Sequence, residues 1–138
     1  MKLTLLNVLG AVALSIMIVL TLRPAILASA SGVSRITPDL AQKLLSEKKA
    51  ILVDVREKDE VAAGMLKGAL WIPLSGLQSG DAQTLKTLDS IQKEVEIIAY
   101  CRSGARSSRA GALLIEKGYR VKNLGGYAAA KAAGMPTQ

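Results

Sequence analysis

The stretch Val95-Glu-Ile-Ile-Ala-Tyr-Cys-Arg-Ser-Gly-Ala-Arg-Ser-Ser-Arg109 determines the fold predicted for this chain. It begins with an apolar, β-prone run from Val95 to Tyr100, continues through Cys101 to Arg106, and enters a helical pattern at Ser107. A strand, a short glycine-containing loop and a helix N-terminus in succession form an anion site, because the loop N–H groups converge and the helix dipole favours negative charge. The sequence therefore predicts an anion-binding loop at the end of a buried strand.

Cys101 is the only cysteine in the 138 residues, and Arg102 and Arg106 flank it in this loop. Positive surroundings of this kind lower a thiol pKa from about 8.5 into the range ~3.5–7.5, so that much of the thiol is thiolate at neutral pH. The alternative is an inert cysteine that packs as a small buried hydrophobe. Because Cys101 stands where the apolar run gives way to a polar loop, we predict a partly open thiol that acts as a nucleophile.

The chain contains no histidine, which excludes a Cys–His catalytic pair and a histidine-ligated zinc site. A single cysteine also excludes a CxxC redox pair and a cysteine-cluster metal site. Two reactions remain for a stabilised thiolate, namely attack on phosphorus and attack on the outer sulfur of a sulfane donor. Cysteine-dependent phosphatases resemble one another in a Cys-x5-Arg loop, whereas Cys101 and Arg106 are spaced as Cys-x4-Arg. The smaller loop favours a single bound sulfur, and phosphatase or oxyanion-reduction chemistry stays as an alternative.

Three motifs follow one another in the order typical of one known family. Leu52-Val-Asp-Val-Arg-Glu57 contains an Asp-x-Arg-Glu pattern, Cys-Arg-Ser-Gly-Ala-Arg-Ser occupies 101–107, and Asn123-Leu-Gly-Gly-Tyr127 precedes Ala133-Gly-Met-Pro136. Between the first two motifs stand further matching residues: Glu60, Gly64, Gly68, Ala69, Ile72 and Pro73. From about Ile36 to Pro136 the chain resembles the single-domain rhodanese (thiosulfate sulfurtransferase) family. Three residues depart from its usual pattern: Met65, Trp71 and Ala130.

The resemblance implies an α/β fold, a single rhodanese-like domain with a mostly parallel central sheet and helices on both faces. The alternation of predicted strands and helices independently favours this architecture. The implied activity is sulfur transfer, in which the Cys101 thiolate takes sulfur from thiosulfate or a similar donor and becomes a persulfide. The acceptor would be cyanide, a small thiol or a thioredoxin-like protein, with no metal and no organic cofactor. A persulfide carrier or sensor without turnover, which delivers sulfur to one partner protein, is the alternative.

The loop that holds the donor and the persulfide is predicted to supply the substrate-binding residues: Arg102, Ser103, Gly104, Ala105 and Arg106. Their N–H groups would stabilise the negative charge on sulfur, and the arginines would attract the anionic donor.

A second cluster, Asp54, Arg56, Glu57 and Glu60, carries charges of both signs at the end of the preceding strand. It could contact substrate, but structural ion-pair networks have the same composition. We therefore predict that Asp54, Arg56 and Glu60 are structural residues near the site, with Arg56 as a candidate contributor to the pocket rim. In a parallel sheet, ligand sites lie beyond the carboxyl ends of the strands, so this cluster and Cys101 are expected to share one pocket.

The hydrophobic pattern also predicts the bounds of the elements. A helix opens at Thr37-Pro38, with Thr37 as N-cap, and runs to about Lys48. The elements predicted after it are strand Ala50–Val55, strand Ala69–Ile72, polar loop Ser75–Asp81, helix Ala82–Gln92, strand Val95–Tyr100, a helix from Ser107 with Gly118 at C′, strand Val121–Leu124, a tight turn at Gly125-Gly126 and a helix over 127–133.

The N-terminal segment Leu3–Leu22 is apolar and uncharged, and Lys2 precedes it. Its length is sufficient for a membrane anchor, which needs ~20 apolar residues, whereas Ala28-Ser-Ala30 resembles a signal-peptide cleavage site. Of these two interpretations we favour the signal peptide. A third interpretation, a buried core helix, is the one that we favour least. The predicted organisation is residues 1–30 as signal peptide or anchor helix, 31–36 as linker and 37–138 as the domain. Both leading interpretations place the domain in the periplasm or outside the cell, with membrane attachment through residues 3–22 if the segment is an anchor.

The chain carries a formal net charge of +7. Its basic residues are scattered and its aromatic residues are few, whereas a nucleic-acid surface needs a clustered basic face with stacking aromatics. Nucleic-acid binding is therefore not predicted.

Overall fold

Four parallel strands form the centre of the protein in a computed structural model that describes residues 32–138. The strands are β1 (Ala50–Asp54), β2 (Leu70–Trp71), β3 (Glu96–Cys101) and β4 (Arg120–Gly126), and they lie in the order β2-β1-β3-β4. Each neighbouring pair is parallel, so the chain crosses over between strands. The predicted α/β fold with a parallel central sheet is confirmed.

Helices cover both faces of this sheet. They are α1 (Pro38–Ser46), α2 (Lys58–Val61), α3 (Leu74–Ser79), α4 (Ala82–Asp89), α5 (Ala105–Glu116) and α6 (Tyr127–Ala132). Alternate side chains of β3 enter different cores, because successive residues of a strand point to opposite faces. Ile97, Ala99 and Cys101 pack with residues of α3, α4 and α5, whereas Ile98 and Tyr100 pack with residues of α1 and α6.

The helix termini that were predicted from local sequence have the expected geometry. The Thr37 hydroxyl accepts the Leu40 N–H, and Pro38 occupies the first position of α1. Gly118, at the C′ position of α5, has a φ of +88° and ends the helix in the left-handed region.

Other predicted bounds were wrong. Residues 75–81 were predicted as a loop, but α3 covers most of them because Leu74 and Leu77 bury an apolar face. Helix α5 begins at Ala105 rather than Ser107. The predicted turn at Gly125-Gly126 is instead the end of β4, which continues beside β3 as far as Cys101.

The predictions for residues 1–30, including the anchor or signal segment 3–22, lie outside the described residues. Within 32–138, no helix is both long enough and apolar enough to cross a membrane. Part of the segment predicted as a linker, 31–36, contacts the sheet. Asn123 donates its backbone N–H to Ser34, and Ile36 donates its own to Asn123, so these residues run beside β4.

Candidate active site

The carboxyl ends of β1 and β3 bring two predicted site regions together. Cys101 is the last residue of β3, and Asp54 is the last residue of β1. The two strands are neighbours, with Asp54 opposite Tyr100 in the register. The structure thus places the mixed-charge cluster and the cysteine at one edge of the sheet, where ligands of parallel α/β folds bind.

Cys101 is buried between its own loop and the core that it shares with residues of α3, α4 and α5. The residue is 0 % exposed, which corrects the prediction of a partly open thiol. The chain folds back over the sulfur, so that the Gly104 N–H donates to Sγ at 3.0 Å and the Ser107 hydroxyl lies 3.5 Å from it. An inert buried cysteine would have loop amides bonded elsewhere, whereas here a loop N–H points at the sulfur.

The surroundings of Cys101 favour the thiolate. Burial acts to raise the pKa of Cys101, but hydrogen bonds from the Ser107 hydroxyl and from the N–H groups of Ser107, Ser103 and Gly104 outweigh it. The pKa of the thiol consequently lies below its ordinary value. The N–H groups at the start of α5 add to this effect, because the first turn of a helix has no internal acceptors for them.

Two glycines permit the tight path of the loop. Gly104 has a φ of +97° and forms the N-cap of α5. Gly126, at the end of β4, lies so close to the loop that a Cβ there would stand 2.6 Å from the Arg102 carbonyl oxygen. The end of β4 therefore forms a backbone surface against which the Cys101 loop packs.

Asn123 is a site residue that sequence reasoning did not select. Its buried side chain donates to the Gly104 carbonyl at 2.9 Å and to the Ser108 hydroxyl at 2.7 Å. Its Oδ1 accepts the Ser107 hydroxyl at 2.8 Å and the Gly125 N–H at 2.9 Å. Asn123 therefore joins the loop, α5 and β4. The signal that could have identified it is its place two residues after Val121, on the buried face of β4.

The predicted loop residues differ in what they contact. Arg102, Ser103 and Ala105 are exposed, while Gly104 is buried. Arg106 is not a free cation. Its two terminal nitrogens contact the two Glu60 oxygens at 2.5 Å and 2.7 Å.

The Arg106–Glu60 pair changes the titration of both groups. Hydrogen bonds from Arg106 lower the pKa of Glu60 to about 2. Partial burial acts to raise this pKa, and the hydrogen bond from the Glu57 N–H acts to lower it. The hydrogen bond to Glu60 in turn raises the pKa of Arg106, and the nearby Cys101 charge contributes to that shift. The pair thus joins the Cys101 loop to helix α2.

Asp54 and Arg56 form a buried ion pair at the end of β1. Arg56 Nη2 lies 2.7 Å from Asp54 Oδ2, and the same nitrogen donates to the Gly64 carbonyl. The guanidinium also lies over the Tyr127 ring, 4.2 Å from its centroid. These contacts use the donors of Arg56 within the fold, in keeping with a structural role.

The chain is similar to known proteins over most of its length. A family model described as "Rhodanese-like domain" matches residues 37–133. A protein of Allochromatium vinosum named "Sulfurtransferase" is 38 % identical over 99 residues, which cover 70 % of this chain and 86 % of that protein. The chain belongs to the rhodanese-like family. Accordingly, it is a sulfurtransferase of the rhodanese type, with a single buried cysteine at the active-site position.

A human protein and two solved structures are also similar to this rhodanese-like protein. The human thiosulfate:glutathione sulfurtransferase is 35 % identical over 89 residues, covering 59 % of this chain and 76 % of that protein. The structure of a human single-domain sulfurtransferase superposes with a TM-score of 0.61 and 30 % identity, covering 75 % of this chain and 98 % of that one. The Alr3790 protein from Anabaena gives a TM-score of 0.63 at 28 % identity, with 75 % and 90 % covered.

Proposed function

We propose that this rhodanese-like protein transfers the outer sulfur of thiosulfate, or of a similar sulfane donor, to a thiophilic acceptor through a persulfide on Cys101. The observation that carries the proposal is the Gly104 N–H directed at Cys101 Sγ at 3.0 Å, within a loop that lowers the thiol pKa. Relatives named for thiosulfate, from Schizosaccharomyces pombe and human, support this choice of donor.

The first half-reaction loads sulfur on the protein. The Cys101 thiolate attacks the outer sulfur of thiosulfate, a new S–S bond forms, and sulfite leaves with the electron pair of the broken S–S bond. The terminal sulfur of the persulfide carries the negative charge, which the N–H groups of the loop from Arg102 to Arg106 stabilise. This is covalent catalysis combined with electrostatic stabilisation by fixed donors.

The second half-reaction unloads the sulfur. An acceptor thiolate or cyanide attacks the terminal sulfur, and the S–S bond breaks with its electron pair returning to Cys101. The products are an acceptor persulfide, or thiocyanate, and the regenerated thiolate. The cycle needs no further electron donor, since one S–S bond is exchanged for another or for an S–C bond.

Mass spectrometry of the intact protein tests the first step. Treatment with thiosulfate is expected to add one sulfur atom to the wild-type chain and none to Cys101→Ser. Wild-type protein that gains no sulfur, or a Cys101→Ser variant that still converts thiosulfate and cyanide to thiocyanate, would contradict the proposal. A wild-type protein that loads once but does not turn over would identify the carrier alternative.

We also propose that the domain is exported, on the basis of the apolar segment 3–22 and the Ala28-Ser-Ala30 motif. The mass of the protein recovered from cells tests this idea. A mass that corresponds to a chain starting near residue 31 indicates cleavage, and a full-length chain in the membrane fraction indicates an anchor. A full-length chain in the cytoplasmic fraction would contradict export.

A further inference from the structure

The Asn123 side chain lies between β4 and the first turn of α5. The residue is 2 % exposed. Its Oδ1 accepts the Gly125 N–H and its Nδ2 donates to the Gly104 carbonyl, both at 2.9 Å. A backbone N–H can only donate and a carbonyl can only accept, so these two partners fix the orientation of the amide. The position therefore requires a side chain that accepts at one end and donates at the other.

The Gly104 carbonyl is the point at which Asn123 contacts the Cys101 loop. This carbonyl also accepts the Ser108 N–H at 3.1 Å, which is the first hydrogen bond of α5. That bond holds the first turn only relative to the rest of the helix. The bond from Asn123 holds it relative to β4, and β4 is paired with β3, whose last residue is Cys101. Asn123 thus couples the start of the helix to the strand that carries the sulfur.

The peptide between Gly104 and Ala105 carries an N–H group on its other side. The described residues contain no cis peptide bond, so the Ala105 N–H points away from the Gly104 carbonyl and hence away from Asn123. The carbonyls of a helix point toward its C-terminus, and this N–H therefore points out of the N-terminus of α5, where the Cys101 loop lies. As the first N–H of the helix, it has no acceptor within the helix.

We propose that Asn123 is a positioning residue for persulfide formation, which holds the Gly104–Ala105 peptide with its N–H toward the outer sulfur on Cys101. This proposal rests on the sulfur-transfer function proposed above. During loading, the bond from Cys101 Sγ to the transferred sulfur forms, the bond from that sulfur to sulfite breaks, and negative charge remains on the transferred sulfur. A donor that is already held in place stabilises this charge without reorganisation at the moment of reaction.

The two sulfur atoms of the persulfide depend on different donors. Cys101 Sγ is contacted by the Gly104 N–H, which belongs to the preceding peptide, and by the Ser107 hydroxyl. Asn123 Oδ1 accepts the same hydroxyl at 2.8 Å and so competes with the sulfur for its proton. Loss of the Asn123 amide is therefore expected to leave the pKa of the Cys101 thiol unchanged or lower, while the donor for the outer sulfur is displaced.

Asn123→Ala in the full-length chain is the first test, with single-turnover loading followed by intact mass. The maximal rate of persulfide formation from thiosulfate is expected to fall about ten- to hundredfold, as for a small misplacement in an active site. The thiol pKa, measured by ultraviolet thiolate absorbance, should not exceed that of the wild type. Loading at the wild-type rate would overturn the role of Asn123. A thiol pKa restored to about 8.5 would also overturn it, because that value indicates collapse of the whole loop.

Thr84→Val is the matched control, because it removes another buried hydrogen bond of a polar side chain. Thr84 is 5 % exposed, lies on α4 and donates its hydroxyl to Asp81 at 2.8 Å. This variant should load sulfur at the wild-type rate. A loss as large as that of Asn123→Ala would show that reduced stability alone slows loading, and would refute the proposal. A wild-type protein that does not load would refute the sulfur-transfer function itself, and this role with it.

Asn123→Asp separates donation from the space that the side chain fills. The new carboxyl group keeps an acceptor for the Gly125 N–H, but when ionised it cannot donate to the Gly104 carbonyl. Above the pKa of this group, loading should be at least as slow as in Asn123→Ala. At lower pH the protonated group can donate, so the loading rate relative to the wild type at the same pH should recover severalfold. A relative rate that is independent of pH, or slow loading in Asn123→Asp but not in Asn123→Ala, would overturn the proposal.

Discussion

At the scale of single residues, Ser107 has one proton and three acceptors within reach. Its hydroxyl lies 2.8 Å from Asn123 Oδ1, 3.1 Å from the Gly104 carbonyl and 3.5 Å from Cys101 Sγ. A hydroxyl donates one hydrogen bond at a time. A thiolate is a charged acceptor and forms the stronger bond, so loss of the thiol proton is expected to turn the Ser107 hydroxyl toward sulfur.

Ser107→Ala should therefore raise the pKa of Cys101. A hydrogen bond to a charged group contributes about 1.5–3 kcal/mol, and one pKa unit corresponds to about 1.4 kcal/mol, so the expected rise is about one to two units. The pH dependence of the ultraviolet thiolate absorbance measures it. Ser108→Ala is the control, because the Ser108 hydroxyl contacts Asn123 but has no bond to sulfur. An unchanged thiol pKa in Ser107→Ala, or an equal rise in Ser108→Ala, would be inconsistent with this role.

At the scale of elements, the end of β4 acts as a backing surface for the Cys101 loop. The register between β3 and β4 shifts after Ala99, so that Tyr100 lies opposite Gly125 and Cys101 opposite Gly126. This irregularity brings the backbone of both glycines against the loop. A side chain at Gly126 would occupy the space that the loop needs, whereas one at Gly125 would meet the Arg35 side chain.

Gly126→Ala is expected to displace the loop and to slow persulfide loading severely. The φ of Gly126 is −96°, which alanine adopts freely, so the cost arises from the contact with Arg102 alone. Such overpacking costs about 1–3 kcal/mol. Loading is followed by mass spectrometry and stability by urea denaturation.

Gly111→Ala provides the comparison for this variant. Its Cβ would stand 2.7 Å from the Val33 side chain, on the buried side of α5 and away from the loop. This variant should lose comparable stability and still load sulfur at the wild-type rate. Equal loading by both variants would show that the contact at Gly126 does not position the loop.

At the scale of the whole molecule, one chain of polar contacts connects the segments that follow β1, β2 and β3. Arg106, after β3, binds Glu60 on α2, and Glu60 accepts the N–H of Glu57. The Glu57 carboxylate then binds Ser75 on α3, which follows β2. These contacts connect the segments that follow three strand ends distant in sequence.

The Arg106–Glu60 link predicts a pH dependence of stability. Because folding lowers the pKa of Glu60 from 4.5 to about 2, its contribution is complete above about pH 4.5 and is lost as the pH falls toward 2. Between these values, the free energy of unfolding of the wild type should fall by on the order of 1–2 kcal/mol more than that of Glu60→Gln. Urea denaturation over a pH series measures the difference. Glu116→Gln, at an exposed position on α5, should follow the wild type, and parallel curves for Glu60→Gln and wild type would disprove the link.

Local sequence was sufficient for several features, since their causes lie within a few residues. The Thr37-Pro38 start of α1, the glycine end of α5 and the alternation of strands and helices all depend on neighbours in sequence. The sequence analysis did not predict helix α3, because this short polar stretch becomes helical only when Leu74 and Leu77 pack into the hydrophobic core. Tertiary contacts decided that element.

By itself, the sequence determined the parallel α/β fold and the family, together with the position of Cys101 at a strand end before a helix, because periodicity and motif order are local properties. Only the tertiary structure decided that the sulfur is fully enclosed, that Arg106 is paired with Glu60 and that Asn123 holds the loop. Arg106 and Glu60 are 46 positions apart, Asn123 and Gly104 are 19 apart, and the core that buries Cys101 includes residues of α3, α4 and α5. Their proximity follows from the register and crossovers of the sheet, which no single stretch of sequence specifies.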